Sequence, residues 1–223
     1  MNSDYPYVNP VVITDAIFYA YGGHTGTSTS AQRQAAFLIA EMAASYDLET
    51  LLIPTTVTGT YSWQFTAPII TDWAHVNSVS RIRFIDVEEN AYYTNTTVNS
   101  DEWSIRNDEY GIIDLHAVYG NCNCSHMGYP YKVEVVYNAG FPTGTSNRAD
   151  VLLALTTYSD IILNEIVGYG NEAPGDIGVK SFSNQQYSEN RVAMLRTAYG
   201  SSARGQFAHG LLTKLRKYRH VGL

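Results

Sequence analysis

Two long helical patterns stand on either side of a region with a different character. Residues 30–49 are dense in helix-forming residues, and residues 148–167 place apolar side chains at steps of three and four residues. Between them, from about residue 55 to 118, β-branched and aromatic residues predominate, which is typical of strands. This order predicts an α+β protein, a small helical bundle with an inserted antiparallel β-rich domain.

The apolar surface of the second helical pattern is wider than one face. Its main stripe consists of Val151, Leu155, Tyr158, Ile162 and Ile166, and Leu152 is one of several apolar residues outside that stripe. We expect this helix to end near Gly168, and the helix at 30–49 to be capped by Ser30. A helix that is apolar on more than one side is buried in a core or packed on a neighbouring subunit.

Alternating patterns locate the strands. Ile82 and Phe84 alternate with two arginines, as in a half-buried strand. Residues 103–105 and 113–115 alternate in the same way on either side of a turn-like segment at 107–111, which predicts a β-hairpin. A further strand with Val133 and Val135 on one face is expected to end at Gly140. We also predict a short strand at 178–182 and short helices at 192–199 and 204–215.

From these patterns we divide the chain into four parts: an N-terminal helical part at 1–54, a β-rich insertion at 55–118, a strand and C-terminal helical part of the core domain at 119–210, and a C-terminal arm at 211–223. The last residues of the arm have no apolar periodicity of a core element.

Charge is distributed unevenly along the chain. The first 190 residues contain all 21 acidic residues and seven of the 14 basic ones, and so carry −14, whereas the last 33 residues carry +7. Segregated charge steers association with partners without dictating the fold. A solvated basic terminus remains an alternative explanation of the tail. The seven bases would give phosphate affinity, but the acidic body opposes it and no nucleic-acid-binding motif is present.

Few residues form a pattern that is typical of metal binding, phosphate binding or catalysis. Cys122 and Cys124 are too close for an ordinary structural disulfide, and with His126 and His116 they lack the second ligand pair of a recognisable zinc site. We therefore expect no metal and no cofactor. The glycine-rich segment at 22–26 lacks the Lys-Ser/Thr ending of a phosphate loop. No secretory signal or membrane-spanning segment is evident, which favours a soluble protein made in a reducing cytoplasm.

A family resemblance follows from the order of these segments. The helix at 30–49, the β-rich insertion, the strand ending Val-Val-Tyr-Asn-Ala-Gly, the helix at 148–167 and the tail from Leu211 resemble the head-to-tail adaptor (connector, neck) proteins of tailed bacteriophages. The resemblance implies a structural virion protein in the neck, assembled in the host cytoplasm. It implies a homo-oligomeric ring, commonly of twelve copies, beneath the portal protein and around the DNA channel.

The resemblance also implies roles for two sets of residues. The C-terminal arm of this family docks on a neighbouring ring, and that position is occupied here by Lys214, Leu215, Arg216, Lys217, Tyr218, Arg219, His220 and Leu223. Contacts between subunits would use the wide apolar helix, through Leu152, Leu155, Tyr158, Ile162 and Ile166. The implied partners are further copies of the chain, the portal protein, a downstream tail or stopper protein, and passing double-stranded DNA in non-specific contact, with no membrane.

Two other functions are open from the residues alone. A ligand- or carbohydrate-binding β module of a virion tail would have a pocket within residues 55–118. A hydrolase would need paired carboxylates, which Asp86, Glu88, Asp101 or Glu102 could supply. No esterase, metalloprotease or complete phosphate-loop motif is present, and we therefore expect no enzymatic activity.

Overall fold

The computed structural model describes residues 5–24, 28–63, 67–85, 97–116, 131–171 and 203–215. In this part of the chain it contains helices and antiparallel sheets, which confirms the α+β class. The chain divides into two compact units. Residues 7–48 and 144–216 form the helical unit, and residues 49–143 lie in the β unit.

The helical unit is built around one long helix. Its described helices are α1 (Asp15–Ala20), α2 (Ser30–Leu48), α3 (Ala149–Asn171) and α4 (Ala203–Thr213). α3 packs against each of the other three. Phe18 of α1 and Phe37 of α2 are fully buried, with ring centroids 5.1 Å apart. The helices predicted at 30–49, 148–167 and 204–215 are therefore confirmed.

Two predicted helix ends are wrong. Ser30 is the first helical residue, and the cap is Thr29, whose hydroxyl accepts the Gln32 N–H at 3.2 Å while the Gln32 side chain accepts the Thr29 N–H at 2.7 Å. This reciprocal pair is a capping box. At the other helix, α3 continues through Gly168 to Asn171, since a glycine lowers helix stability without preventing the helical conformation.

A buried carboxylate joins the N-terminal segment to α2. Glu41 is fully buried, and its two oxygens accept the backbone N–H groups of Val11, Val12 and Ile13 at 2.7, 2.8 and 2.6 Å. Burial raises the pKa of Glu41, and the three N–H donors oppose that rise. The Glu41 side chain thus holds residues 11–13 against α2 through three backbone hydrogen bonds.

The β unit contains two three-stranded antiparallel sheets. The described strands are β1 (Thr55–Trp63), β2 (Ile69–Ile70), β3 (Val76–Ile85), β4 (Trp103–Asn107), β5 (Ile112–Leu115) and β6 (Tyr131–Ala139). The strand order is β1-β6-β3 in one sheet and β2-β5-β4 in the other. The hairpin predicted at 103–115 is confirmed, with Ile105 opposite Ile113.

Large aromatic and branched side chains form the interior of the β unit. Val133, Val135 and Tyr137 are fully buried along one face of β6, in the alternation that the sequence indicates. The hydroxyls of Tyr61 and Tyr137 lie 3.1 Å apart, and burial raises the pKa of Tyr61. Tyr61 therefore stays neutral, and the two hydroxyls satisfy each other's hydrogen-bonding needs in a buried environment.

The unit boundaries differ from the expected domain boundaries. We predicted that the strand at 131–139 belongs with the C-terminal helices, in a part that begins at residue 119. β6 instead lies at the centre of a sheet, paired with β1 along its whole length and with β3 along most of it. Because both neighbours are in the β unit, that unit extends to residue 143. The alternating pattern of β6 does not identify β1 and β3 as its partners, because both are distant in sequence and no short turn connects either of them to β6.

Several expected features lie outside the described residues: the cysteine segment at 122–126, the short strand at 178–182, the helix at 192–199 and the arm from residue 216 onward. Within the described residues, no helix is both long enough and apolar enough to span a bilayer.

Candidate assembly surfaces

The predicted subunit-interface residues of α3 lie in the interior of the helical unit. Leu152, Leu155, Tyr158 and Ile162 are at most 7% exposed, and the side chain of Ile166 is outside the described part. Burial raises the pKa of Tyr158, with a smaller contribution from the negative charge of Asp47. α2 and α4 of the same chain cover α3. Their role between subunits stays a prediction, and their role in the subunit core is what the structure shows.

One ion pair and one histidine contact connect α4 to the rest of the helical unit. Asp160 of α3 is 1% exposed, and its carboxylate lies 2.9 Å from the guanidinium of Arg204 and accepts the His24 N–H at 3.1 Å. On α2, Asp47 lies 3.1 Å from the ring of His209. The buried residues Gly205, Ala208 and Leu212 identify the face of α4 that is turned inward.

The predicted docking arm is described only at its beginning. Lys214 is exposed and Leu215 is half-buried, and the turn that they form is closed by a hydrogen bond from the Leu215 N–H to the Leu212 carbonyl at 2.8 Å. The other predicted docking residues, Arg216, Lys217, Tyr218, Arg219, His220 and Leu223, lie outside the described residues. The basic segment therefore begins directly at the end of a tethered helix.

Acidic side chains occur just before β4, in the turn between β4 and β5, and on β5. Asp101, Asp108 and Glu109 are exposed, and they are the exposed acidic residues of the part of the chain that the structure describes. Glu102 is half-buried and accepts the Asn99 N–H at 2.9 Å. Asp114 forms an ion pair with Arg106 at 2.7 Å. Among the described residues, exposed negative charge is thus found at the two ends of this hairpin.

One face of the β1-β6-β3 sheet carries a compact charge network. Glu134 of β6 contacts Arg83 at 2.7 Å and Arg81 at 3.0 Å, and the arginines of this strand are therefore engaged with their own sheet. The hydrogen bond from Arg83 holds the pKa of Glu134 below its usual value, with weaker help from Arg81. The predicted solvated face fits this arrangement better than a nucleic-acid contact does.

This network predicts a pH dependence of stability. Because the pKa of Glu134 is lowered in the folded protein, its stabilising contribution is present above the unfolded value of about 4.5 and is lost as the pH falls through the folded value. We expect Glu134→Gln to lower the free energy of unfolding at pH 7 by up to about 1 kcal/mol, since the partners are partly exposed. The difference from wild type should shrink below pH 4.5 in urea denaturation. A difference that stays constant down to pH 3 would contradict the assigned pairing.

No paired-carboxylate site is evident among the described residues. Asp101 is exposed and Glu102 is engaged by the backbone of its own turn, while Asp86 and Glu88 lie outside the described residues. Within the described residues, no group of three or more His, Cys, Asp or Glu side chains is placed to hold a metal ion. A shallow, open depression lies beside Thr60, Tyr61, Ser62 and Lys132, at the ends of β1 and β6.

Comparison with solved structures finds a similar fold in protein chains of gene transfer agent (GTA) particles. A chain from the neck of an empty gene transfer agent (GTA) particle, computed with C6 symmetry, has a TM-score of 0.58 and 16% identity. A chain from the neck of a native GTA particle, computed with C12 symmetry, has a TM-score of 0.56 and 15% identity. A chain from the virion of a native GTA particle has a TM-score of 0.55 and 15% identity.

Each of these alignments covers 100% of this chain and 99% of the other. Both units therefore share a fold with those chains, and neither is an addition to it. No protein-family model matches the sequence, and no curated protein sequence matches it.

Proposed function

We propose that this protein is a structural component of a virion neck, a ring-forming head-to-tail adaptor that connects the capsid to the tail. The observation that carries the proposal is the shared fold, along the whole chain, with chains from GTA necks solved with C6 and C12 symmetry. Those symmetries favour a ring of identical subunits, and a dodecamer is the copy number we propose. The neck of the virion is the proposed location, after assembly in the host cytoplasm.

The uneven distribution of charge along the chain supports two contacts within this proposal. The arm from Lys214 to Leu223 contains four bases and no acid, and we place it against an acidic surface of the portal ring. The body to residue 190 carries −14, so that a channel lined by it would repel the phosphates of passing double-stranded DNA and let the DNA slide. A tail or stopper protein would bind on the side away from the portal.

Deleting Lys214 to Leu223 is the first test of the arm. The segment follows α4, which packs against α3 and pairs with it through Arg204 and Asp160, so we expect the truncated chain to keep its melting temperature within a few degrees. In a virion assembly reaction, we expect heads that lack tails, counted by electron microscopy. The matched control replaces Lys214, Arg216, Lys217 and Arg219 by Gln, which keeps the length and removes the charge.

The possible outcomes distinguish the docking role of the arm, the contribution of its charge and the location of the protein in the particle. Full tail attachment by the truncated protein would remove the docking role of the arm. Normal attachment by the Gln control and loss in the deletion would show that length and apolar contacts matter more than charge. Gold labelling of the protein in purified particles tests the location, and labelling anywhere other than the neck would contradict the proposed function itself.

A further inference from the structure

The two edges of the β1-β6-β3 sheet are protected unequally. At one edge, β3 has two register irregularities against β6, carries Arg81 and Arg83, and has its Ile82 carbonyl bonded by the Val98 N–H at 2.8 Å. At the other edge, β1 pairs with β6 over nine residues without a register shift and contains no charged residue and no proline. Natural sheets protect exposed edges with bulges, charges or prolines. Within the described part of the chain, β1 is therefore an edge that can accept a further strand.

The hydrogen bonds of β6 identify the backbone groups that the β1 edge presents. On the side of β3, the Val136 carbonyl accepts the Ser80 hydroxyl at 3.0 Å, and the Gly140 N–H donates to the His75 carbonyl at 3.0 Å. The even-numbered residues of this segment thus direct their backbone groups toward β3. Because successive residues of a strand bond in opposite directions, the odd-numbered residues of β6 bond to the odd-numbered residues of β1 that lie opposite them. The backbone groups directed away from β6 are therefore those of Thr56, Thr58, Thr60 and Ser62.

The depression beside Thr60, Tyr61, Ser62 and Lys132 lies at one end of this edge. Its volume of about 250 Å³ is smaller than the roughly 300–1,000 Å³ of a small-molecule pocket, and is suited to single side chains. Lys132 is exposed and lies opposite Ser62 in the ladder, and no ion pair among the described residues includes it. A strand added to β1 would lie about 10 Å from β6, since neighbouring strands are about 4.8 Å apart. A long acidic side chain on that strand could therefore meet the Lys132 ammonium group.

We infer that the open edge of β1 binds an extended segment of a partner protein as a fourth strand of the sheet, with an acidic side chain of that segment beside Lys132. Backbone hydrogen bonds to the even-numbered residues of β1 supply the affinity, and the depression and Lys132 select the side chains at one end. The partner segment is uncharged elsewhere, because β1 offers only hydroxyl groups along the rest of its exposed face. The inference adds a binding surface to the proposed adaptor and does not depend on the ring.

The test is binding of the full-length protein to an array of random octapeptides, followed by fluorescence polarisation with the peptides that bind. We expect these peptides to be rich in β-branched residues, to lack proline and to carry an acid near one end. Thr58→Pro removes an N–H of the open edge without removing a bond to β6, and should weaken binding by at least about fivefold. Lys132→Glu should weaken binding of the acidic peptides by about threefold or more, and should shift the array toward peptides with a base at that end.

Matched variants control for folding and for general surface effects. Thr58→Val keeps the backbone groups and removes only the hydroxyl, and should leave peptide binding unchanged. Lys214→Glu reverses an exposed charge of the helical unit and should also have no effect. Thr60→Pro repeats the edge substitution at a second position, in case Thr58→Pro does not fold. Each variant is compared at equal folded fraction, verified by circular dichroism.

Three results would overturn the inference. The first is an array on which the wild-type protein binds no peptide. The second is binding of the same peptides, with the same affinity, by the proline variants or by Lys132→Glu. The third is self-association of the wild-type chain that Thr58→Pro abolishes, without peptide binding, which would assign the edge to a second copy. None of these results removes the protein from the neck, because gold labelling of particles tests that location independently.

Discussion

Replacing Glu41 by Ala should lower the free energy of unfolding by about 2–5 kcal/mol. The substitution leaves the N–H groups of Val12 and Ile13 without an acceptor in a buried environment, and each such group costs about 1–3 kcal/mol. The N–H of Val11 is partly exposed and can bond to water, and therefore adds less. Urea denaturation followed by circular dichroism measures the change.

Glu41→Gln is the matched control for this prediction. A Gln oxygen in the position of Oε1 still accepts from Val12 and Ile13, while the amide nitrogen faces the N–H of Val11 and loses that bond. The substitution also removes the cost of burying a charge. We expect a loss of less than about half of that caused by Ala. Equal losses in the two variants would show that packing, and not hydrogen bonding, accounts for the role of Glu41.

The pH dependence of Glu41 has the opposite sign to that of Glu134. Because burial raises the pKa of Glu41 in the folded protein, its contribution is fully present below the unfolded value of about 4.5 and decreases as the pH rises through the folded value. The stability difference between wild type and Glu41→Gln should therefore shift against wild type as the pH increases above 4.5. A difference independent of pH would contradict the raised pKa.

Replacing Gly140 by Ala should strongly destabilise the β unit. Gly140 has φ of +134°, a conformation that side-chain-bearing residues rarely adopt, and an added side-chain carbon would collide with the backbone carbonyl of Ile53. Its N–H also donates to the His75 carbonyl at 3.0 Å, so that the backbone cannot easily move away. We expect a loss of at least about 2 kcal/mol, measured by thermal and urea denaturation.

Gly144→Ala separates backbone strain from collision. Gly144 also has a positive φ, +96°, but an added carbon there would have no neighbour within 4 Å. We expect a loss of about 1 kcal/mol from the conformational restriction alone. If the two variants lost equal stability, the close approach to Ile53 would have no energetic role, and the end of β6 would tolerate displacement.

Gly140 shows how much of a turn a sequence pattern can predict. The Tyr-Asn-Ala-Gly ending at 137–140 predicts the end of a strand, and β6 ends at Ala139 as expected. The pattern contains no information on why glycine is required, because the collision is with a residue far away in sequence. The close approach to Ile53 exists only after β1 and β6 have paired.

The buried acid of α2 is a similar case. In the sequence, Glu41 interrupts the apolar pattern of residues 30–49, and no local signal indicates its partners. In the structure, three consecutive N–H groups from a segment 28 to 30 residues earlier converge on it. The periodic pattern of α2 predicts a helix but does not predict which backbone groups contact Glu41, and residues 11–13 are not part of a periodic element.

The assembly surfaces were likewise predictable only in part from the sequence. The sequence identifies the basic tail and the wide apolar helix at 148–167, and the wide pattern is compatible with burial in a core or between subunits. The structure shows that α2 and α4 of the same chain cover that helix. Phe207 of α4 is 56% exposed, and a single aromatic in a short helical segment does not stand out from its neighbours before its burial is known.

The sequence by itself determined the α+β class, the positions of α2, α3 and α4, the hairpin of β4 and β5, and the segregation of charge along the chain. All of these depend on local propensity, on periodicity within one element, or on composition, and such properties need no partner. The tertiary structure alone decided the placement of β6 between β1 and β3, the contacts of Glu41 and the side of each helix that faces solvent. Those features depend on contacts between residues distant in sequence, which form only when the whole chain has folded.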